Sequence, residues 1–228
     1  MDAHHLAALA NRFANDAKQL LDDCLPGPTI VASEAFNSER KRFSFQLSKE
    51  LKSRTSNASP ALLEASYSMC ENSSGKHLAV AASSFKICYR QSKKQPPIVR
   101  FEYERDAQNK PVSHFHFHSD SVALGLLLAS TGQKDNAFQQ QNIHFPMGGH
   151  RFRVCLEDVV ELVIREFGIE ALEGWELHVL AGRERFRESQ KKAIIRANAP
   201  LAIEVLRELG YAVPEIGPNS EPSAPAEW

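Results

Sequence analysis

The sequence contains few cysteines and no paired cysteine motif. Its four cysteines, Cys24, Cys70, Cys88 and Cys155, are widely spaced over 228 residues. Zinc ribbons need cysteines in close pairs, and disulfide frameworks need a dense set of them. The spacing therefore argues against both classes, and we expect Cys70 and Cys88, which fall in strand-like segments, to be buried thiols.

The sequence also lacks an excess of charge of one sign and a long apolar run. It has 27 Lys and Arg against 28 Asp and Glu, so contact with nucleic acid would depend on a local basic patch. The N terminus has neither the basic start nor the apolar stretch of a signal peptide, and no run approaches the roughly 20 apolar residues of a membrane span. These absences predict a soluble cytoplasmic protein with no membrane partner, and they leave its oligomeric state open.

No repeat and no internal linker divides the chain. With 43% hydrophobic residues, a chain of this length can bury one substantial core. The end of the chain differs, because residues 214–228 contain four prolines and few large apolar side chains. We therefore predict one α+β domain over residues 1–213, followed by a disordered, proline-rich tail over 214–228.

The spacing of apolar residues changes along the chain and predicts the fold class. Residues 3–22 carry an apolar stripe at helical spacing, which should end before Pro26. Between there and residue 118 the period is two, and this alternation predicts about five antiparallel strands. The strands are expected near residues 43–48, 63–69, 77–90, 98–105 and 112–118.

The pattern becomes helical again after residue 150. Apolar residues repeat at spacings of three and four over 156–167, and Gly168 is well placed to end this helix. A further helical region is predicted over 184–209, with a restart at Pro200. The predicted architecture is an antiparallel β-meander of about five strands, packed on one face by helices from both ends of the chain.

Residues 114–118 read His-Phe-His-Phe-His and concentrate more chemistry than any other segment. Extended residues alternate between faces, so His114, His116 and His118 would share one face, with Phe115 and Phe117 on the other. Histidine titrates near neutral pH and is a common metal ligand. We expect the phenyl rings to be buried and the imidazoles to lie on the wetter face of the sheet.

The preceding strand offers a carboxylate to these histidines. We predict that residues 98–105 and 112–118 form one antiparallel hairpin. The expected cross-strand pairs are Phe101 with Phe115, Glu102 with His114, and Arg100 with His116. A carboxylate so placed can orient an imidazole, as it does in many metal sites. The competing interpretation is a solvated sheet face whose histidines tolerate exposure.

Residues 143–153, directly ahead of the predicted helix, contain a second cluster of candidate site residues. Two adjacent glycines allow close backbone approach, and two arginines supply positive charges suited to phosphate. Two histidines could join the strand histidines around a zinc, manganese or iron ion. On its own, the segment also fits a glycine turn that leads into a helix. Its candidate residues are Gly148, Gly149, Arg151 and Arg153 for phosphate, and His144 and His150 for a metal.

The alternating histidine run resembles the signature of the histidine triad nucleotide hydrolases, in which strand histidines supply the nucleophile and its orienting partners. The likeness covers residues 114–118 of 228. That signature continues with two hydrophobic residues, whereas Ser119 and Asp120 follow here, and no matching glycine-containing loop lies upstream. The run also resembles the HxH of cupins, without their accompanying glutamate and glycine pattern. We therefore assign the chain to neither family.

Two functions from different classes follow from these patterns. The first is a phosphate-ester hydrolase, such as a nuclease or nucleotide hydrolase, whose strand histidines are metal ligands or the general acid and base. In it Glu102 would orient a histidine, and Arg151 or Arg153 would hold the phosphate. The second is a non-catalytic binding or regulatory protein, of the toxin–antitoxin or defence-module type, that docks a protein or nucleic-acid partner.

A basic stretch over residues 183–196 is the remaining candidate for contact with nucleic acid. Glu184 and Glu188 interrupt it. Mixed charge of this kind usually marks a solvated helix face, so we expect the stretch to face solvent and not to bind nucleic acid.

The middle histidine of the run gives the sharpest expectation. We expect His116→Ala to abolish activity or metal content at little cost in stability. The reason is that an exposed imidazole contributes little to packing, and surface changes usually stay within about 0.5 kcal/mol.

Overall fold

The computed structural model describes residues 3–37, 39, 41–72, 75, 77–90, 97–131, 134–147 and 153–213. The helices are α1 (Ala3–Cys24), α2 (Val122–Ser130), α3 (Lys134–Phe138), α4 (Leu156–Arg165), α5 (Trp175–Ala197) and α6 (Ala199–Glu208). The strands are β1 (Thr29–Asn37), β2 (Arg42–Leu51), β3 (Ala61–Glu71), β4 (Leu78–Tyr89), β5 (Pro97–Glu104), β6 (Ser113–Phe117) and β7 (Phe145–Pro146). A short 3-10 turn, Gln140–Asn142, precedes β7.

All seven strands form one antiparallel sheet in the order in which they occur in the chain. The α+β class and the antiparallel meander are therefore confirmed, with two strands more than the five predicted. Strand β1 gave no alternating signal because every residue in it after Thr29 is exposed. Strand β7 has only two residues, too few for any period to show.

The apolar core lies on one face of the sheet. Alternate residues of β2 to β5 and apolar residues of α1, α4 and α5 form one buried cluster. Phe45 and Tyr67 stack at a centroid distance of 5.1 Å, and Phe13 of α1 meets Tyr67 edge-on at 5.0 Å. Such aromatic pairs contribute about 0.5–1.5 kcal/mol each beyond their buried area. The period-two pattern of β2 and β3 placed Phe45 and Tyr67 correctly.

A capping box, a glycine and a proline mark ends of the C-terminal helices. Helix α4 begins with a capping box in which the Asp158 carboxylate accepts the Cys155 backbone N–H at 3.2 Å. Gly168 adopts a positive φ of 65° after α4 ends, a conformation that favours glycine. Pro200 stands in the first turn of α6, as predicted. Helix α5 begins at Trp175 rather than near residue 184, so the predicted start was too late.

Two cations of the basic stretch of α5 pair with neighbouring carboxylates. Arg183 donates to Asp158 at 2.8 Å and also to Glu161, which ties α5 to α4. Lys192 pairs with Glu188 one turn away at 2.5 Å. These contacts support the interpretation of a solvated, ion-paired helix face.

Some predicted features fall outside the described residues, namely the tail over 214–228 and the segment 148–152. Within the described part, no helix has both the length and the apolar character that crossing a membrane would require.

Candidate metal centre

Strands β5 and β6 form the hairpin that carries the predicted site. The cross-strand pairs are Phe101 with Phe115, Glu102 with His114, and Arg100 with His116, as the alternation predicted. Paired residues share a face of the sheet. The Glu102 carboxylate and the two imidazoles therefore project from the face opposite the apolar core.

The burial of the two faces differs from the prediction. His114 and His116 are buried, with 0% and 3% of their surfaces exposed, whereas Phe117 is 49% exposed. The expectation of a wet histidine face was wrong because residues 140–147 cover that face, with β7 pairing to β6. Helix α1 packs against β1 to β4. Phe117 lies two strands beyond β4, on β6, and its side chain therefore keeps contact with solvent.

Each buried imidazole uses its Nδ1 atom to bind a backbone carbonyl. His114 Nδ1 donates to the Pro111 carbonyl at 2.7 Å, and His116 Nδ1 donates to the Gln141 carbonyl at 2.8 Å. A carbonyl oxygen only accepts, so the proton is on Nδ1 and the lone pair of the neutral ring is on Nε2. Metal-binding histidines are typically held this way, because the second nitrogen fixes the tautomer and the ring orientation.

The two Nε2 lone pairs converge on the Glu102 carboxylate. Glu102 Oε2 lies 3.3 Å from Nε2 of His114 and 3.3 Å from Nε2 of His116. Neither Nε2 atom has a hydrogen-bond partner in the described part of the chain, although both are buried. Three electron-rich atoms this close repel one another unless a positive charge lies between them.

The surroundings of Glu102 and His116 shift the pKa of each group. Burial raises the pKa of Glu102, but contact with His114 and the charges of Arg100 and Lys110 outweigh burial and lower it to about 2. Glu102 is therefore ionised at neutral pH. Burial, together with the Arg100 charge, lowers the pKa of His116 and so favours its neutral form.

His144 joins this group from the covering segment. Its ring centroid lies 4.8 Å from that of His114 and 4.6 Å from that of His116. Burial and the two neighbouring histidines lower the pKa of His144, so its ring also tends to be neutral. The sequence suggested that His144 could approach the strand histidines, and the short β6–β7 pairing brings it there.

The distances suit a tetrahedral ion. Bonds of about 2.0–2.2 Å to nitrogen and oxygen place neighbouring ligands about 3.4 Å apart, close to the two 3.3 Å contacts of Glu102. One donor atom from each of His114, His116 and His144 can be chosen so that all lie within 4.8 Å of one another. Coordination by all three would need an approach of at most about 1.4 Å. His144 precedes a two-residue strand and is the ligand best able to move.

The other predicted site residues lie elsewhere or outside the described residues. His118 follows β6 and is not among the three histidines that converge. The Arg153 guanidinium lies over the Tyr103 ring at 4.3 Å and near the Phe186 ring at 5.5 Å, so it stacks on aromatic side chains. The remaining predicted residues are Gly148, Gly149, His150 and Arg151, which the structure does not describe.

The site also depends on groups that the sequence did not indicate. The carbonyls of Pro111 and Gln141 orient the rings, and a carbonyl is present at every residue, so it carries no sequence signal. Lys110 acts on Glu102 and His144 through its charge, and its proximity could have been inferred only from the length of the β5–β6 turn.

The partly exposed side chains of His144 and Arg100 mark the side from which a ligand could reach the histidines.

Comparison with protein-family models, with curated proteins and with solved structures found no match for this chain. The site must therefore be interpreted from its own geometry.

Proposed function

We propose that this protein binds a divalent transition-metal ion through His114, His116 and His144, with Glu102 beside the ion, and that the ion supports hydrolysis of phosphate esters. One observation carries the proposal: two buried imidazoles direct unpartnered Nε2 atoms at the same carboxylate oxygen. A bound cation would take both Nε2 atoms as ligands and would place its charge beside the Glu102 carboxylate. The Nδ1 contacts to carbonyls already hold both strand histidines in the ligating orientation.

A shared proton is a weaker solution than a metal ion. One proton on Nε2 of His114 would satisfy that ring and Glu102, but it would leave Nε2 of His116 buried without a partner. Protonating both rings would place two charged imidazolium groups side by side, with ring centroids 5.0 Å apart. A single divalent ion accepts both Nε2 lone pairs at once.

Zinc fits the donor set best. Imidazole nitrogen with one carboxylate oxygen is a common zinc environment, and zinc accepts the tetrahedral arrangement that the 3.3 Å contacts suggest. Manganese and iron share these donors, but they more often take six-coordinate sites with several open positions.

Hydrolysis would follow if the three histidines hold the ion and leave its fourth position to water. Zinc lowers the pKa of bound water to about 7, which supplies hydroxide at neutral pH. Glu102 would then accept a proton from that water, because its oxygen already lies on the ligating side of both strand histidines. If Glu102 instead occupies the fourth position, the ion has a structural role.

The test is metal analysis of the purified protein, paired with a hydrolase assay on chromogenic phosphate monoesters and diesters and on RNA. Stoichiometric zinc is expected in the wild type and in Glu102→Gln, with activity lost only in the latter. His144→Ala should lose most of the metal. A wild-type protein that binds no zinc, manganese or iron would overturn the proposal.

A hydrolase screen without activity, in a protein that binds zinc through His144, would reduce the proposal to a structural metal site. The stability expectation for His116→Ala needs correction as well. Because His116 is buried and bonded to the Gln141 carbonyl, we now expect its truncation to cost about 1–3 kcal/mol, so His144→Ala is the cleaner variant.

One observation favours the alternative of a partner-binding protein. Helix α2 is apolar around its whole circumference and buries no residue, and Val122 is 81% exposed. Phe138 of α3 is 88% exposed. Apolar helices of this kind normally lie inside a core or an interface. Light scattering across a range of concentrations would show whether the protein associates, and a monomer at all concentrations would count against self-association.

A further inference from the structure

Arg100 is the cation that the structure places beside the candidate metal centre. It pairs with His116 across the β5–β6 ladder, and its Nε lies 3.2 Å from Glu102 Oε1. That Nε atom is buried, and no hydrogen bond of acceptable geometry engages it in the described part of the chain. The side chain is still about one-third exposed. Arg100 therefore has donor capacity beside the ion position and a route to solvent.

The sheet face around Arg100 shows that this capacity is unusual. Glu64, Lys86, Arg100 and His116 form one row of cross-strand neighbours over β3 to β6. Lys86 in that row has its own partner, because its Nζ pairs closely with the Glu64 carboxylate. Arg100 shares its carboxylate, Glu102, with two histidines. An ion at the site would draw Glu102 away from Arg100 and leave the guanidinium without a counter-charge.

The charges beside the ion position indicate the class of ligand. A divalent ion and Arg100 bring three positive charges, and Glu102 supplies one carboxylate against them. Lys110 is not counted, because its Nζ lies 3.0 Å from Glu104 Oε2. A ligand with two negative charges and several acceptor oxygens would neutralise the site.

We propose that the metal-loaded site binds a phosphate monoester dianion, with one oxygen on the ion and others on the Arg100 guanidinium. This inference rests on the proposed metal centre and assigns its substrate class. The planar guanidinium matches phosphate oxygens two at a time, and lysine cannot reproduce that geometry. The role replaces the phosphate contact predicted for Arg153, whose guanidinium stacks on Tyr103 and Phe186.

The experiment measures inorganic phosphate binding by calorimetry to the zinc-loaded full-length chain. The variants are Arg100→Gln, Arg100→Lys and, as the matched control, Lys86→Gln, which removes one positive charge from the next strand on the same face. Zinc content is measured on every sample. We expect Arg100→Gln to keep its zinc and to weaken phosphate binding at least tenfold, Arg100→Lys to weaken it less, and Lys86→Gln to change it less than threefold.

The outcomes separate the two proposals. A protein without zinc overturns the metal centre and, with it, this inference. The phosphate inference fails, and the metal centre stands, if the zinc-loaded wild type does not bind phosphate. The same holds if Arg100→Gln binds phosphate as tightly as the wild type. Equal losses in Arg100→Gln and Lys86→Gln would also overturn it, because they would indicate a general effect of positive charge.

Discussion

Two buried polar groups on this sheet differ in how completely they are satisfied. Lys49 of β2 points into the core face with 0% of its surface exposed. Its Nζ lies 3.1 Å from Asp22 Oδ1 and also donates to the Gly27 carbonyl. The same Asp22 oxygen accepts the Thr29 backbone N–H at 2.8 Å. The lysine charge is thus met by an opposite charge and a carbonyl, as a stable buried ion pair requires.

The histidine cluster is equally buried but incomplete. The Nδ1 atoms of His114 and His116 have carbonyl partners, whereas their Nε2 atoms face a carboxylate that cannot donate to them. The comparison suggests a criterion: a buried polar group whose partners are all present holds the fold together, and several unpartnered atoms that converge on one point mark a ligand site. The predictions below test that criterion.

The largest effect is expected for Asp22→Asn. This change leaves Lys49 buried with only a carbonyl partner, and breaking a buried ion pair typically costs about 3–5 kcal/mol. Because Asp22 keeps partial contact with solvent, we expect the unfolding free energy of the metal-free protein to fall by about 3 kcal/mol in urea titrations.

Lys49→Met is the matched control for this prediction. It removes the charge together with the cost of burying it, and it keeps a side chain of similar length. We expect a loss of about 1 kcal/mol, clearly smaller than for Asp22→Asn. Equal losses in the two variants would show that packing, and not the ion pair, dominates at Lys49.

Zinc should stabilise the protein only through the histidine cluster. At a free concentration one hundred times its Kd, a ligand specific for the folded state adds about 2.7 kcal/mol. We expect urea titrations with and without zinc to show this gain in the wild type and to lose it in His144→Ala. His178→Ala is the control, because that imidazole lies 3.4 Å from Asp23 and outside the cluster. If zinc stabilises His144→Ala as much as the wild type, the histidine cluster is not the zinc site, and the contrast with Lys49 fails.

The ion pair between Lys49 and Asp22 should lose its contribution to stability over a defined range of acidic pH. Burial raises the pKa of Asp22, but hydrogen bonds from Lys18, Thr29 and Lys49 outweigh it and lower the pKa from 3.8 to about 2. A folded-state pKa below the unfolded value means that the stabilisation is complete above about pH 4 and is lost as the pH falls toward 2.

The corresponding measurement compares wild type with Asp22→Asn by chemical unfolding from about pH 5 down to about pH 2.5. The difference in unfolding free energy between the two should shrink across that window. If the difference stays constant, the Asp22 carboxylate is not the charged partner of Lys49.

The smallest effect is expected for His118→Ala. Its Nε2 is buried without a partner in the described part of the chain, and His118 is not among the converging histidines. Removing an unsatisfied group costs little, so we expect stability within about 0.5 kcal/mol of wild type and unchanged zinc content. Loss of zinc in this variant would mean that the site extends along β6.

Most of the sheet could be predicted because each strand carries its own pattern. The alternation of Phe43, Phe45 and Leu47, and the pairing of Glu102 with His114, follow from period two and a short hairpin. The burial of the histidines could not be predicted, because it depends on a covering segment whose contacts to β6 are backbone carbonyls and a two-residue strand.

The ion pair between Lys49 and Asp22 could not be predicted from the sequence, for a related reason. Alternation in β2 does place Lys49 on the core face, but its partner Asp22 stands 27 residues away on a helix. Helix α5 was placed too late because its first residues, 175–179, alternate between apolar and polar side chains as a strand does. The period of a sequence predicts which face of the sheet a residue lies on. It does not predict which other segment covers that face.

The order of elements along the chain has a consequence for synthesis on the ribosome. Five strands are complete once residue 104 is made, yet α4 and α5 complete the core only after Val179. At roughly 5–20 residues per second, the 75 residues between these points take about 4–15 s to make. Helix α1, the first element to emerge, packs on the same apolar face and is available throughout that interval. It can cover part of that face until the later helices are made.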